Sequence, residues 1–186
     1  MIALRRARVA DAPAIGAVHV AAWRSAYPGI LPDSVLTRLS VSRQAAQYDA
    51  AIRAGALVHV ATASGADAGA PGSPIRIIGF VTGGAARGAD RLAEGEVETL
   101  YVLDDWRERG VGRRLMRAAA AHLANAGCAS AFVWVLRDNP SRWFYERLGG
   151  RAVATSTIRV GGEPVQQTAY VWSPIARLVQ ATSSAP

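Results

Sequence analysis

Two hydrophobic periods alternate along this chain, and the place where one gives way to the other is its most informative stretch. From Glu96 to Leu103 apolar and polar residues alternate as in a strand, whereas Val111, Leu115, Ala119 and Leu123 recur at helical spacing. The same reading predicts a short strand at residues 2 to 8. A helix follows, with Asp11 as its N-cap, carrying Ile15, Val18 and Ala22 to about Tyr27 and stopped by Pro28-Gly29. A second short helix starts near Pro32-Asp33, and a third covers Arg43 to Ala54, with an interruption at Val41-Ser42. Ala56 to Thr62 and Ile75 to Gly83 read as a hairpin around residues 63 to 74, whose Ala, Gly, Ser and Pro content fits a mobile loop. A glycine-rich turn from Gly83 to Gly88 leads into the strand at 96. Beyond the helix at 111 come an apolar strand from Ala131 to Leu136, a short helix from about Pro140 to Leu148, and two strands joined at Gly161-Gly162. From Ser173 the tail docks around Ile175 to Val179 and then frays.

Strands and helices alternating in this way, with a strand-helix-strand unit at 96 to 136, point to an α/β sandwich on a mixed sheet. With 186 residues and no linker or internal repeat, the expected organisation is a single domain over residues 1–173 and a partly disordered tail over 174–186.

Between the two periods lies Arg107-Glu108-Arg109-Gly110-Val111-Gly112-Arg113. Glycines there let the backbone approach a ligand, the first-turn amides of the helix lack intrahelical partners, and the helix dipole favours negative charge. Three arginines add donors suited to phosphate oxygens. An ordinary strand-to-helix turn fits the same residues. A dinucleotide fingerprint does not, because Leu115 stands where its third glycine is needed.

Composition narrows the chemistry. The net charge is +7, and all 21 positive side chains are arginine. Without lysine there is no Schiff-base enzyme and no Gly-Lys-Ser/Thr phosphate loop. An anionic partner is favoured, but the arginines run from Arg5 to Arg177 with no compact basic tail, so no nucleic-acid partner is expected. No apolar run of about 18 residues and no basic, apolar leader are visible, so a cytoplasmic protein without a membrane partner is expected. Cys128 reads as a small buried residue. His19, His59 and His122 lack metal-ligand spacing, and no metal is expected.

Four separated segments together resemble the GCN5-related N-acetyltransferase family, in matching order and over most of the chain. They are Trp23-Arg24-Ser25-Ala26-Tyr27-Pro28-Gly29-Ile30-Leu31-Pro32, Glu96-Val97-Glu98-Thr99-Leu100-Tyr101-Val102, the Arg107 to Gly112 loop, and Asn139-Pro140-Ser141-Arg142-Trp143-Phe144-Tyr145-Glu146-Arg147-Leu148-Gly149-Gly150. The last ends in Gly-Gly where many members have Gly-Phe, a packing variant. The resemblance implies a three-layer sandwich around a mixed, mostly antiparallel sheet of about seven strands, with the strands at 96 and 131 parallel and splayed at their carboxyl ends.

It also implies acetyl-CoA as co-substrate, lying in that gap and bound by Leu100, Tyr101 and Val102 like an added strand. Amides from Glu108 through Arg113, including Arg109, Gly110, Val111 and Gly112, would hold the pyrophosphate, with Arg107 in the place of the usual Gln/Arg, Asn139 on the pantetheine arm and Arg142 as a further cofactor contact. Tyr145 would stand near the thioester sulfur as general acid, and Trp23 and Tyr27 could line the acceptor pocket. Core packing is the alternative for all three aromatic residues.

By the two-residue period Glu96, Glu98, Leu100 and Val102 share one side of a strand. A carboxylate there needs water or a partner, and a functional one would accept an ammonium or relay its proton, Glu98 ahead of Glu96. Either glutamate could equally be the wet start of the strand. The expected function is transfer of acetyl from acetyl-CoA to a primary amine in a ternary complex, with a non-catalytic acyl-CoA-binding regulator as rival. The acceptor is not legible, and a homodimer through the last strands is plausible.

Overall fold

The protein is described by a computed structural model over residues 1–69, 72–88 and 91–183. Seven strands form one sheet: β1 (Ile2–Arg6), β2 (Leu57–Ala63), β3 (Arg76–Ala85), β4 (Gly95–Val102), β5 (Ala131–Leu136), β6 (Arg151–Val160) and β7 (Glu163–Trp172). Their order is β1-β2-β3-β4-β5-β7-β6, and every neighbouring pair is antiparallel except β4 with β5. The parallel pair is joined by α4 (Val111–Asn125), as a parallel connection demands.

Helices cover both faces. On one, α4 and α6 (Ala176–Ser183) bury Leu115, Met116, Leu123 and Leu178 against Val81, Val97 and Val133. On the other, α1 (Ala12–Ala26) and α3 (Val41–Arg53) bring Ile15, Val18 and Tyr48 onto Val58, Val60 and Phe80. Gly16 lets α1 and α3 touch, because a Cβ there would lie 2.7 Å from the Val41 carbonyl oxygen. Two short helices, α2 (Asp33–Thr37) and α5 (Arg142–Arg147), flank the carboxyl ends of the central strands.

Four local expectations are corrected. Val41-Ser42 is no interruption: Ser40 caps α3, its Oγ accepting from the Arg43 amide at 3.3 Å, so the helix starts at Val41. Asp11 stands at the N-cap position of α1 but does not cap it. Its carboxylate is taken by the Arg5 guanidinium at 2.6 and 2.8 Å and the Arg8 amide at 2.7 Å, which holds its pKa below the usual carboxylate range.

The third correction concerns β4. The register with β3 shifts between Thr82↔Thr99 and Gly83↔Val97, so Glu98 is the extra residue of a β-bulge. Leu100 and Val102 therefore join Val97 on the α4 face, while Tyr101 and Leu103 join the α1 face. Glu96 and Glu98 do not share a side with Leu100 and Val102. Gly83 permits the distortion, since a Cβ there would lie 2.3 Å from the Glu96 carbonyl oxygen. A turn was expected from Gly83, but β3 runs to Ala85.

In the loop expected to be mobile, residues 65–68 form a 3-10 turn, and the amino terminus donates to the Ser64 carbonyl at 2.7 Å; residues 70 and 71 lie outside the described residues. In the tail, α6 buries Leu178 and Thr182; the end expected to fray, residues 184–186, lies outside the described residues.

Candidate active site

β4 and β5 pair only over Gly95 to Val97 against Ala131 to Val133. Beyond that each strand keeps its outer partner, β3 or β7, and the two diverge. The wedge opens into a cavity of about 770 Å³, walled by residues 98–102 on one side and 133–136 on the other.

At one mouth of the wedge the chain turns from β4 into α4. After a 3-10 turn at Asp104–Trp106, Arg107 is extended, Glu108 adopts φ 60° and Gly110 φ 72°. The first bond of α4 runs from the Arg114 amide to the Gly110 carbonyl at 3.0 Å, so the amides of Val111, Gly112 and Arg113 have no intrahelical acceptor. Gly110 offers no capping side chain either. An uncapped helix start following two left-handed residues is a ready anion site.

The arginines divide. Arg107, Arg113 and Arg147 line the cavity. Arg107 is paired with Asp104 at 2.9 Å, and the other oxygen of Asp104 accepts from the Ser25 hydroxyl, which ties the loop to α1. Arg109 lies over the Trp106 ring at 5.1 Å and Arg142 over Trp143 at 4.6 Å; neither side chain is on the main cavity wall. Arg147 was not singled out from the sequence, where it is one arginine of a helix already read through Tyr145.

Four of the phenols near the wedge, Tyr27, Tyr48, Tyr101 and Tyr145, are pushed up by burial and stay neutral. Tyr145 lines the cavity and its ring packs on Phe144, Tyr170 and Trp172. Asn139 is fixed at both ends: its Oδ1 accepts from the Ser141 amide at 2.9 Å and its Nδ2 donates to the Tyr27 hydroxyl at 3.4 Å. Trp23 packs edge-on against Tyr27, and its indole lies beside the Tyr101 hydroxyl without a hydrogen bond of good geometry. Behind them His19 Nδ1 meets the Tyr48 hydroxyl at 2.7 Å, and burial lowers the pKa of His19 to about 4.

Glu98 lines the cavity; Glu96 does not, but burial and then the neighbouring Glu98 raise its carboxyl above the usual range. The wedge thus brings together Trp23, Tyr27, Glu98, Leu100, Tyr101, Val102, Arg107, Glu108, Gly110, Val111, Gly112, Arg113, Asn139 and Tyr145, leaving Glu96 and the side chains of Arg109 and Arg142 at its margin. It adds a wall absent from the sequence reading, formed by Trp134, Leu136, Ile158, Val160 and Gln167. Nothing local distinguishes these strand residues from core. No group of His, Cys, Asp and Glu among the described residues is arranged to hold a metal, and no helix there is long and apolar enough to cross a membrane.

A seven-stranded mixed sheet whose single parallel pair splays over an open helix start defines the acyltransferase class of three-layer sandwich. The family model of FR47-like proteins matches residues 78–160, which run from β3 through β6. The uncharacterized N-acetyltransferase YuaI of Bacillus subtilis (strain 168) is 27% identical over 178 residues, 96% of each chain. A GCN5-related N-acetyltransferase from Rhodopseudomonas palustris superposes with TM-score 0.67 at 25% identity, covering 92% of this chain and 94% of that one. The fold is shared with the PaiA N-acetyltransferase of Thermoplasma acidophilum in complex with coenzyme A, at TM-score 0.64 and 17% identity over 90% and 98% of the two chains. Over nearly its whole length the chain is thus similar to N-acetyltransferases, a GCN5-related one among them.

Proposed function

We propose that the protein moves an acetyl group from acetyl-CoA to a primary amine by direct attack in a ternary complex. The observation that carries this reading is the β4–β5 wedge ending at the uncapped start of α4. Its parts fit the co-substrate: unpartnered amides for a diphosphate, a strand edge for an extended arm, and a cavity of about 770 Å³ running between them.

The amides of Glu108 through Arg113 and the guanidinium groups of Arg107 and Arg113 hold the diphosphate, with Arg142 at the outer rim. Leu100, Tyr101 and Val102 use main-chain groups to align the arm and polarise the thioester carbonyl, and Asn139 contacts the arm. Bound acetyl-CoA supplies an activated acyl carbon and a leaving thiol. Trp23 and Tyr27 line the acceptor side, where Glu98 accepts the incoming ammonium and Glu96 receives its proton through water. Tyr145 donates a hydrogen bond to the departing sulfur.

The test is a thiol-release assay with acetyl-CoA across a panel of amines, alongside calorimetry of acetyl-CoA binding. Turnover with any primary amine is the expected result. Binding without release from any amine would make the protein an acyl-CoA-binding regulator instead.

A further inference from the structure

The two faces of the sheet meet the wedge with different chemistry. Of the cavity-lining arginines, Arg113 and Arg147 come from α4 and α5, and Arg107 comes from the loop between β4 and α4, where it is paired with Asp104 and its charge reaches Tyr27. The opposite side is built by α1, the segment after it, and the strands β5, β6 and β7. That wall offers Trp134, Leu136, Ile158 and Val160, with Gln167 as its uncharged polar group. Tyr27 and Leu31 complete it, in contact with Leu136 and Val160. In a chain with 21 arginines, none of the strand residues lining this wall is one. The carboxylate it faces is Glu98, set on the bulge of β4.

The wall is also roofed. At the β6–β7 turn Gly161 sits so close to α2 that a Cβ would lie 2.4 Å from Val35 Cγ2. The hairpin tip therefore packs against the segment following α1 and bounds the acceptor end on that side.

We infer that the acceptor is a small primary amine on an apolar, aromatic or aliphatic body that carries no carboxylate. An amino acid would bring its carboxylate against tryptophan and aliphatic side chains, where the one cation felt, Arg107 near Tyr27, is already paired with Asp104, and burial penalises the unpaired charge. A polyamine would set its second ammonium on the same surface. An alkyl or arylalkyl amine leaves its ammonium on Glu98 and fills the pocket with its body. This inference rests on the acetyl-transfer reading given above.

The experiment compares kcat/KM for phenethylamine, L-phenylalanine, spermidine and a tetrapeptide with a free amino terminus, by thiol release from acetyl-CoA. Phenethylamine is expected to exceed each of the others by at least about tenfold. Ile158→Arg, which places a cation on the wall, should narrow the gap between phenethylamine and phenylalanine with acetyl-CoA affinity unchanged. Equal or faster turnover of phenylalanine, spermidine or the peptide overturns the acceptor class and leaves acetyl transfer standing. Silence with every amine overturns acetyl transfer, and this inference with it. The wild-type comparison decides the matter even where the variant fails to fold.

Discussion

Removing one oxygen, by Tyr145→Phe, separates the chemistry of this site from its architecture. The Tyr145 ring is 6% exposed and meets Phe144, Tyr170 and Trp172 at centroid distances of 5.2, 6.2 and 6.3 Å, contacts that phenylalanine keeps. Its hydroxyl makes no hydrogen bond among the described residues, so the change should move stability by less than about 0.5 kcal/mol. Acetyl-CoA affinity should also hold, since the proposed diphosphate site lies at the uncapped start of α4. Complete proton transfer is not what is lost. A phenol of pKa about 10 giving its proton to a thiolate of about 8.5 climbs by about 2 kcal/mol. Burial raises the Tyr145 pKa further and steepens that climb. On the proposed mechanism the hydroxyl supplies a charge-assisted hydrogen bond, worth about 1.5–3 kcal/mol as charge builds on sulfur, or about a 10- to 150-fold fall in kcat when removed. Steady-state thiol release at saturating amine reads kcat, and calorimetry reads affinity. A kcat within twofold of wild type would take Tyr145 out of the mechanism.

Gly110→Val puts a β-branched residue at φ 72°, a strain of about 1–3 kcal/mol, and should weaken acetyl-CoA binding about tenfold or more; unaltered affinity in a folded variant would remove the loop from the binding site. Glu98→Gln takes away the like charge that helps raise Glu96. The acid limb of kcat/KM in the residual activity should move to lower pH, and a limb that stays put uncouples Glu96 from it. His19 is depressed to about 4 against 6.5 in the unfolded chain, so its stabilising contribution is complete above pH 6.5 and is lost as pH falls toward 4. Allowing for solvent screening the loss is about 2 kcal/mol; His19→Gln should lose that much less between pH 7 and pH 4.5 in chemical denaturation, and an equal loss would refute the assignment. Gly150→Ala sets a Cβ 2.9 Å from both Trp172 Cζ2 and the Tyr145 carbonyl oxygen, and should cost about 1–3 kcal/mol; an unchanged denaturation midpoint would mean that the indole moves aside freely.

Element order and the glycine turn into α4 were legible because each rests on local chemistry. The change from period two to period 3.6 at Arg107 needs no partner strand to be read, nor does the glycine that starts α4. Pairing was less legible. Val41-Ser42 is helical because the Ser40 hydroxyl caps α3, and Asp11 does not cap α1 because Arg5, a strand residue six positions back, claims its carboxylate. The Gly149-Gly150 ending, read as a mere variant, is where the indole of Trp172 lies, its Nε1 donating to the Leu148 carbonyl at 2.8 Å; a larger side chain at 150 would meet that ring. The far wall of the cavity escaped because strand residues such as Ile158 and Val160 look like core until topology sets them beside β5 and α1.

The bulge at Glu98 shows why the glutamates of β4 posed a puzzle in one dimension. With unbroken alternation, one face of a central strand would hold carboxylates beside Leu100 and Val102, an arrangement that burial penalises. Inserting one residue sends the two leucine-like positions into the α4 core and turns Tyr101 toward α1, while Glu98 remains on the cavity wall. The substitution Gly83→Val should test this coupling: its side chain cannot coexist with the Glu96 carbonyl 2.3 Å from Cβ, so β4 must shift register or separate from β3. If the bulge is what places Glu98, that variant loses amine turnover while retaining the α4 anion site. Full turnover in a folded Gly83→Val protein would mean that the bulge is incidental to the chemistry.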